Sequence, residues 1–413
     1  MDKNRIIILL TILLLTHITI LGHNIMVKPG IEVLKENNFD ILKGKRVGLI
    51  TNPTGVDCNL KSTIDILYEA EEVNLVALYG PEHGVRGDVY AGDKIQSTKD
   101  EKTGLPIYSI YGSSRKPTKD MLKDIDVLVY DIQDIGCRSY TFISTMGLSM
   151  QSAAESDIEF VVLDRPNPLG GKKIEGNLVE SDYISFVSQF NIPYIYGQTP
   201  GELALMLNNE NMLGVKCKLT VVKMEGWNRD MTWNDTKLQW VPASPHIPSA
   251  NTAIYYPTTG ILGELGYLNI GVGYPLPFQT VGAPWINGDS LAYYLYNKNL
   301  KGVIFRSIYY KPFYSTFSGE LCGGVQIYIT DYNECRLTEI QFIIMEVLNE
   351  MYPDKATFKN ANAKRYNMFD KVCGTDYIRK HFSINHKWSD IKEYFNKDEK
   401  AYLNISKKYY LYE

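Results

Sequence analysis

The sequence has little cysteine and lacks the motifs of the common cofactor classes. Six cysteines stand among 413 residues, and none forms a Cys-x-x-Cys pair, which excludes the zinc and redox sites built on that spacing. No Gly-x-Gly-x-x-Gly and no Walker A motif occurs, so dinucleotide and NTP binding are not favoured. Gly-x-Ser-x-Gly and His-Glu-x-x-His are also absent, which argues against α/β-hydrolase and zinc-protease chemistry. We therefore expect no cofactor and no metal.

A strong charge excess and a membrane-length apolar run are missing as well. The net charge of −4 gives no general reason to expect nucleic acid as a partner. The apolar run at residues 6–15 follows Lys3 and Arg5 and is shorter than the roughly 20 residues of a membrane span. This pattern is typical of a signal peptide, which we predict over residues 1–24, with an uncleaved anchor as the alternative. We expect export to the periplasm or cell envelope, and no stable membrane span in the mature form. Export would permit disulfides, with Cys322 and Cys335 as the nearest pair, although we expect buried free thiols.

From residue 45 onward, short apolar runs alternate with helical patterns. Strands are predicted at 45–50, 74–79, 106–112, 126–134 and 159–163, and helices at 62–73 and 141–156. Continuous apolar strands separated by helices indicate a parallel sheet that is covered on both faces. The later part differs, with a helix at 288–300 capped by Asp289, strands at 302–310 and 323–331, and a helix at 337–352. We therefore predict an α/β domain over 25–255 and a smaller α+β domain over 256–413.

Polar motifs follow the predicted strands at the point where each strand ends. They read TNPTG at 51–55, GPEHGVRG at 80–87, DIQDIGCRSY at 131–140 and DRPNP at 164–168. Open α/β sheets bind ligands at the carboxyl edge of their parallel strands. We therefore expect one crevice that holds Asn52, Glu82, His83, Arg86, Asp131, Gln133, Asp134, Arg138, Asp164, Arg165 and Asn167.

Each of these residues also has a purely structural interpretation. Asp131 or Asp164 alone could cap a helix or close a turn, and Arg138 or Arg165 could pair with a nearby carboxylate. Glu82, next to a histidine on a glycine-rich turn, favours a functional role more strongly. An exported protein with a carboxylate-rich, arginine-containing and tyrosine-lined crevice is typical of sugar processing, in which a carboxylic acid protonates a glycosidic oxygen.

Several motifs in order carry a family resemblance. TNPTG, GPEHGVRG, DRPNPLGG, VPASPHIPS, GAPWING and the closing KKYYLY resemble the exo-β-N-acetylmuramidases of the NamZ type, from about residue 28 to the end. The resemblance implies a Rossmann-like N-terminal domain, a smaller C-terminal domain and an active cleft between them. It also implies release of terminal β-1,4-linked N-acetylmuramic acid (MurNAc) from the non-reducing ends of peptidoglycan fragments. The expected partners are MurNAc-GlcNAc saccharides or muropeptides.

The resemblance also implies roles for individual residues. Glu82 matches the catalytic glutamate of the family, with His83 beside it. The matching substrate-binding positions are Asn52, Arg86, Asp131, Gln133, Arg138, Tyr140, Asp164, Arg165, Asn167 and His246. The lactyl group of MurNAc carries a carboxylate, for which Arg86, Arg138 and Arg165 could supply planar two-point recognition.

One stretch departs from the family pattern. Many members carry an acidic residue and an arginine in the glycine-rich segment before GAPW, where this sequence has Ile270 and Val272. Glu264 is the candidate substitute for the missing acid. Two other functions stay open: a metal-dependent hydrolase with Glu82, His83, Asp131 and Asp134 as ligands, and a muropeptide-binding protein without catalysis.

Overall fold

A computed structural model of the chain describes residues 26–87, 98–112 and 114–413. The predicted signal peptide lies outside these residues. Among them, none of the helices has the length and apolar character needed to cross a membrane. All six cysteines lie in the described part of the chain, and each is a free thiol. Cys322 and Cys335 are therefore not bonded to each other.

A seven-stranded sheet forms the centre of the first half. Its strands are β1 (Arg46–Thr51), β2 (Asn74–Gly80), β3 (Thr98–Lys99), β4 (Pro106–Ser109), β5 (Val127–Asp131), β6 (Glu159–Leu163) and β7 (Lys218–Val222). Their order is β3-β4-β2-β1-β5-β6-β7. All neighbours pair in parallel except β3, which runs antiparallel to β4 at the edge. The predicted parallel sheet is therefore confirmed.

Both faces of this sheet are covered, as the apolar strands require. Along β5, Val127 and Val129 belong to one hydrophobic cluster, whereas Leu128 and Tyr130 belong to the other, because successive side chains point to opposite faces. One face carries helices α1 (Gly30–Glu36) and α2 (Thr63–Glu69). The other carries α3 (Phe142–Glu155) and α4 (Pro200–Asn209). Helix α4 was not predicted, although its start has a clear signal: Thr199 and Glu202 form a capping box around Pro200.

The second half combines a small antiparallel sheet with helices. Strands β8 (Thr280–Ala283), β9 (Val303–Tyr310) and β10 (Cys322–Ile329) pair in the order β8-β10-β9. The helices are α5 (Ala250–Gly263), α6 (Gly288–Tyr296), α7 (Glu339–Met351), α8 (Thr357–Asn360), α9 (Tyr366–Cys373), α10 (Tyr377–Asn385), α11 (Ser389–Asn396) and α12 (Glu399–Ser406). The predicted α+β character is confirmed. The predicted cap of α6 needs correction, because Asn287 rather than Asp289 accepts the hydrogen bond from the N–H of Ser290, at 2.9 Å.

The two halves share one hydrophobic core. A single buried cluster contains Met146 from α3, Ile261 from α5 and Phe369 from α9. The predicted domain boundary at residues 255/256 falls inside α5, which belongs to the segment joining the two sheets. The division into domains at that position stays a prediction. What matters for function is that α5 and α9 bring the second half against the carboxyl edge of the large sheet.

Candidate active site

The large sheet reverses its direction of growth between β1 and β5. From β1 the chain adds β2 and β4 on one side, and from β5 it adds β6 and β7 on the other. Thr51 and Asp131 pair at the carboxyl end of this junction, where open α/β sheets hold their ligands. Here the junction leaves a cavity of only about 20 Å³ beside Gln133 and Arg165, because polar side chains fill the space.

Asp131 and Arg165 occupy most of the space at this junction. Arg165 donates from Nε to Asp131 Oδ1 at 2.5 Å and from Nη2 to Oδ2 at 2.9 Å. The guanidinium also donates to the carbonyl oxygen of Val56 at 2.8 Å, and Thr63 Oγ1 donates to Asp131 Oδ2. Both charged side chains are almost fully buried, with 3% and 0% exposed. This is an internal ion pair, which engages Nε and Nη2 of the guanidinium with protein groups.

Three amides near the junction are also engaged with the backbone. Asn52 Oδ1 accepts from the N–H two residues later at 3.0 Å, and Asn167 does the same at 2.9 Å. Gln133 Nε2 donates to the carbonyl oxygen of the next residue at 2.8 Å. These contacts hold the turns after β1, β5 and β6, which is the structural alternative that the sequence left open.

Asp164 and Arg86 have structural partners too. Asp164 accepts from the N–H of Gly201 at 2.8 Å and from the Tyr412 hydroxyl at 2.6 Å. It therefore ties the start of α4 and the chain terminus to the end of β6. Arg86 forms a two-point ion pair with Asp100, at 2.9 Å and 3.0 Å.

Arg138 links the two halves of the molecule. Its guanidinium is buried and donates to the carbonyl oxygens of Asn177 at 2.8 Å, Ile192 at 2.5 Å and Val372 at 2.9 Å. Burial lowers the pKa of Arg138 to about 10. Since Val372 lies on α9, this arginine fastens the second half to the turn after β5.

A larger cavity lies beside the junction, between the ends of β2 and β4 and the second half. Its volume is about 530 Å³, within the range of small-molecule sites. Apolar walls include Phe186, Ile270 and Phe278. The polar and charged lining consists of Glu82, His83, Tyr111, Arg115, Ser139, Tyr140, Thr141, Ser185, Ser244, His246, Tyr256, Glu264 and Lys371. Both halves contribute, so the cavity is a cleft between them.

Glu82 reaches this cavity on a strained turn. The turn after β2 closes with the N–H of Gly84 donating to the carbonyl of Pro81 at 3.1 Å. His83 adopts φ = +74° and Gly84 adopts φ = +75°; the first is unusual for a residue with a side chain, and such strain concentrates at functional sites. Tyr111, just after β4, donates its hydroxyl to Glu82 Oε1 at 2.8 Å. Burial and this bond raise the pKa of Tyr111 to about 12.

A second carboxylate enters the cavity from α5. Glu264 directly follows the last residue of that helix and lines the cavity together with Glu82. Burial raises the pKa of Glu264, and the positive charge of Arg365, 3.8 Å away, opposes the shift only in part. Burial thus makes the charged form of this carboxyl group less favourable than it is in water. Sequence reasoning did not predict α5, whose interior contains Pro257.

Histidine and aromatic rings complete the lining. His246 Nε2 lies 3.1 Å from the hydroxyl of Tyr314, with the two rings stacked. Burial, followed by the nearby His83, lowers the pKa of His246 and favours the neutral ring. Tyr256 packs edge-on against Tyr140, with ring centroids 5.9 Å apart. Such rings offer apolar faces with polar rims, which suit a sugar.

The structure divides the predicted site residues into two groups. Glu82, His83, Tyr140 and His246 come together in the cavity lining. The expectation of one crevice for all of them needs correction, because the remaining nine lie outside that lining: Asn52, Arg86, Asp131, Gln133, Asp134, Arg138, Asp164, Arg165 and Asn167. Asp134 accepts from the N–H of Gly136 at 2.7 Å, and the other eight are held by the contacts described above. Their assignment to substrate binding stays a prediction without support from their placement.

The lining residues that were not predicted include Tyr111, Arg115, Tyr256 and Lys371, and two of these four had a sequence signal. Tyr111 lies at the end of the predicted strand 106–112 and Arg115 follows it, so both satisfy the same rule that selected Glu82. Tyr256 and Lys371 lie on helices α5 and α9. No motif marks these two, because tertiary packing alone brings their helices to the cavity.

Family models match almost the whole described chain. Residues 47–251 match the model described as Exo-beta-N-acetylmuramidase NamZ, N-terminal, and residues 254–412 match its C-terminal counterpart. The chain belongs to the exo-β-N-acetylmuramidase NamZ family. A relative in Bacillus subtilis (strain 168), the peptidoglycan β-N-acetylmuramidase NamZ, is 42% identical over 386 residues, which cover 94% of this chain and 91% of that protein.

Two crystal structures of DUF1343 family proteins from Bacteroides fragilis NCTC 9343 share the fold. One is 59% identical with a TM-score of 0.92 and covers 94% of this chain and 100% of that chain. The other is 28% identical with a TM-score of 0.73 and covers 94% of this chain and 99% of that chain. The architecture described above is therefore that of a NamZ-family protein along nearly its entire length.

The departure from the NamZ pattern falls within the cavity. Ile270 and Val272 both line it, so the missing charges would have faced a ligand. The Ile270 side chain packs against Gly263, at the end of α5, where an added Cβ would lie 2.3 Å from Ile270 Cδ1. Glu264 is the next residue, so a carboxylate still enters the cavity beside the position that lacks one.

The four ligands of the metal-site alternative are not assembled. Within residues 26–87, 98–112 and 114–413, no group of three or more histidine, cysteine, aspartate or glutamate side chains is arranged to hold a metal ion. Asp131 is occupied by Arg165, and Asp134 lies outside the lining that contains Glu82 and His83. The donor set therefore gives that alternative no support.

Proposed function

We propose that the protein is an exo-acting glycoside hydrolase that releases terminal β-1,4-linked MurNAc from the non-reducing ends of peptidoglycan fragments. The observation that carries the proposal is the convergence of Glu82 and His83 in a cleft of a NamZ-family chain. A cavity of about 530 Å³ suits a chain end better than an extended polymer. The curated relative named as a peptidoglycan β-N-acetylmuramidase supports the substrate class.

Glu82 is the proposed proton donor to the departing glycosidic oxygen. The Tyr111 hydroxyl donates to Oε1 at 2.8 Å, which leaves Oε2 to carry the proton. The turn after β2 places Glu82 at the cavity, and the hydrogen bond from Tyr111 orients its carboxyl group. General acid catalysis needs this combination of reach and fixed orientation.

Glu264 is the proposed second carboxyl group. It enters from α5, whereas Glu82 enters from the turn after β2. Glycoside hydrolysis uses a second polar group to activate water, to attack the sugar or to polarise the 2-acetamido group of the substrate. Among the described residues that line the cavity, the acidic ones are Glu82 and Glu264. Glu264 therefore supplies the carboxyl group that is missing at Ile270.

The natural partners proposed here are MurNAc-GlcNAc saccharides or muropeptides, met outside the cytoplasm. The signal-like segment before residue 25 supports export to the periplasm or cell envelope. Cell fractionation with N-terminal sequencing tests this proposal. A cytoplasmic protein that retains Met1 would refute it.

The function is tested with a chromogenic β-N-acetylmuraminide beside the matching β-N-acetylglucosaminide. We expect turnover of the first and little of the second. Binding of MurNAc without turnover would instead favour the non-catalytic binding protein. Loss of turnover after chelation, restored by added metal, would favour the metal-dependent hydrolase.

A further inference from the structure

Two basic side chains in the cavity lining form no ion pair with any residue that the structure describes. Arg115 and Lys371 both line the cavity, and neither lies within ion-pair distance of a carboxylate in the part of the chain that the structure describes. By contrast, Arg86 and Arg165 are paired with Asp100 and Asp131. The charge available to an anionic ligand therefore comes from residues that the family motifs do not contain.

Arg115 belongs to the same wall as Glu82. Its guanidinium carbon lies 4.3 Å above the ring of Phe186. The centroid of that ring is 6.2 Å from the ring of Tyr111, which donates to Glu82. An arginine that stacks on an aromatic face is held flat, with its N–H edge open for a two-point contact.

Lys371 approaches from the second half of the molecule. It lies on α9, next to Val372, whose carbonyl oxygen accepts from the buried Arg138 at 2.9 Å. The Arg138 contacts therefore fix the position of the α9 backbone at the cavity. The long lysine side chain can then bring a compact positive charge to a ligand that enters between the two halves.

The substrate of the proposed reaction has one group that matches these cations. MurNAc differs from N-acetylglucosamine by a lactyl ether on O3, which ends in a carboxylate. O3 stands two ring carbons from the anomeric carbon, so an acid at the glycosidic bond and a cation at the lactyl group must lie on one stretch of wall. Glu82, Tyr111, Phe186 and Arg115 form such a stretch.

Without cations the cavity would offer the carboxylate of this substrate no opposite charge. Glu82 and Glu264 are both carboxyl groups in the lining, and a buried anion needs a partner of opposite charge. Resting on the function proposed above, we propose that Arg115 binds the lactyl carboxylate and that Lys371 is the second cation for it. These residues thus select MurNAc over N-acetylglucosamine at this site.

The test compares one sugar with and without its charge. The substrates are a chromogenic β-N-acetylmuraminide with a free lactyl carboxylate and the same compound as its neutral lactyl methylamide. The variants are Arg115→Met, Arg115→Lys and Lys371→Met. Lys218→Met is the matched control, because Lys218 forms its ion pair on the surface, with 64% of its side chain exposed. Methionine keeps an apolar stem of similar length and removes the charge.

Arg115→Met should raise KM for the charged substrate by about 10- to 100-fold, the range expected for a lost hydrogen bond to a charged group. Its kcat should change little, and the kinetics of the neutral methylamide should stay within about 3-fold of the wild type. Arg115→Lys should recover part of the loss, and Lys371→Met should show a smaller effect of the same kind. The control should match the wild type on both substrates.

Several results would overturn the inference. The inference fails if the wild-type protein does not distinguish the two substrates. It also fails if Arg115→Met and Lys371→Met both keep the wild-type preference for the charged substrate. Equal losses on both substrates would mean that Arg115 supports the wall rather than the carboxylate. If the wild type turns over neither compound, the proposed function fails, and calorimetric binding of free MurNAc by the same variants still decides the inference. Unchanged affinity in Arg115→Met and Lys371→Met would then refute it.

Discussion

Replacing Arg165 with methionine tests whether the sheet junction is a structural core or a substrate site. The substitution leaves Asp131 buried, with 0% of its side chain exposed, and removes the two hydrogen bonds that it accepts from the guanidinium, at 2.5 Å and 2.9 Å. Removing one partner of a buried ion pair costs about 3–5 kcal/mol, because the remaining charge is left uncompensated. We expect the free energy of unfolding to fall by that amount.

Urea unfolding followed by tryptophan fluorescence measures the change. Trp233 borders the small cavity beside Arg165 and so reports locally. Arg46→Met is the matched control: Arg46 pairs with Asp126 at the opposite end of β1, where both side chains are 43% exposed. Exposed pairs contribute little, so the control should lose far less stability than Arg165→Met.

Activity separates the two interpretations of Arg165. If the residue is structural, the folded fraction of Arg165→Met should keep a KM for the muraminide close to the wild-type value. A variant that unfolds at the wild-type urea midpoint but shows a large increase in KM would refute our reasoning. Arg165 would then contact substrate, as the family motif implies.

Three further predictions concern stability. Tyr412→Phe removes hydrogen bonds to Asp164 and from the N–H of Met224, at 2.6 Å and 2.9 Å, and should cost about 1–3 kcal/mol in urea unfolding; an unchanged midpoint would show that the C-terminal contact is dispensable. Burial raises the pKa of Asp134 to about 7 and that of Asp164 to about 6, so the folded state holds protons that the unfolded state has released. Stability should therefore fall as the pH rises from about 4, the ordinary pKa of an aspartate, to about 7, and Asp134→Asn should flatten much of this profile; a rise over that range would contradict it. Burial raises the pKa of Glu264, so its charged form destabilises the folded state. Glu264→Gln should therefore increase the urea midpoint, with the larger increase at high pH, while it lowers kcat. Full activity of this variant would exclude a catalytic role.

The large sheet could be predicted because its strands are apolar on both faces. The predicted strand at 159–163 coincides with β6, and the strand predicted at 45–50 differs from β1 by one residue at each end. Helix α5 could not be predicted in the same way. Pro257 lies in its interior, and the N-cap contact from Ser249 to the N–H of Thr252 has no capping-box glutamate to mark it.

Only part of the candidate site could be predicted, because the sequence shows which residues end a strand but not how they pack. The rule about strand ends brings Glu82 and His83 to a cavity, whose lining contains both residues. The same rule cannot tell which polar residues at this edge of the sheet form ion pairs or hydrogen bonds with each other, as Asp131 and Arg165 do. Lys371 comes from a helix almost 300 residues further along the chain than Glu82, so only the packing of the two halves brings it to the cavity.

The most direct test of the account is Glu82→Gln on two leaving groups. Glutamine keeps the shape of the side chain and still accepts from Tyr111, but it cannot donate the catalytic proton. On a MurNAc-GlcNAc saccharide, whose leaving group needs protonation, kcat should fall by about 10²–10⁴-fold. On a nitrophenyl muraminide, whose leaving group departs without a proton, we expect a much smaller loss. Equally large losses on both substrates would contradict the assignment of Glu82 as the acid and would leave Glu264 as the proton donor in the described lining.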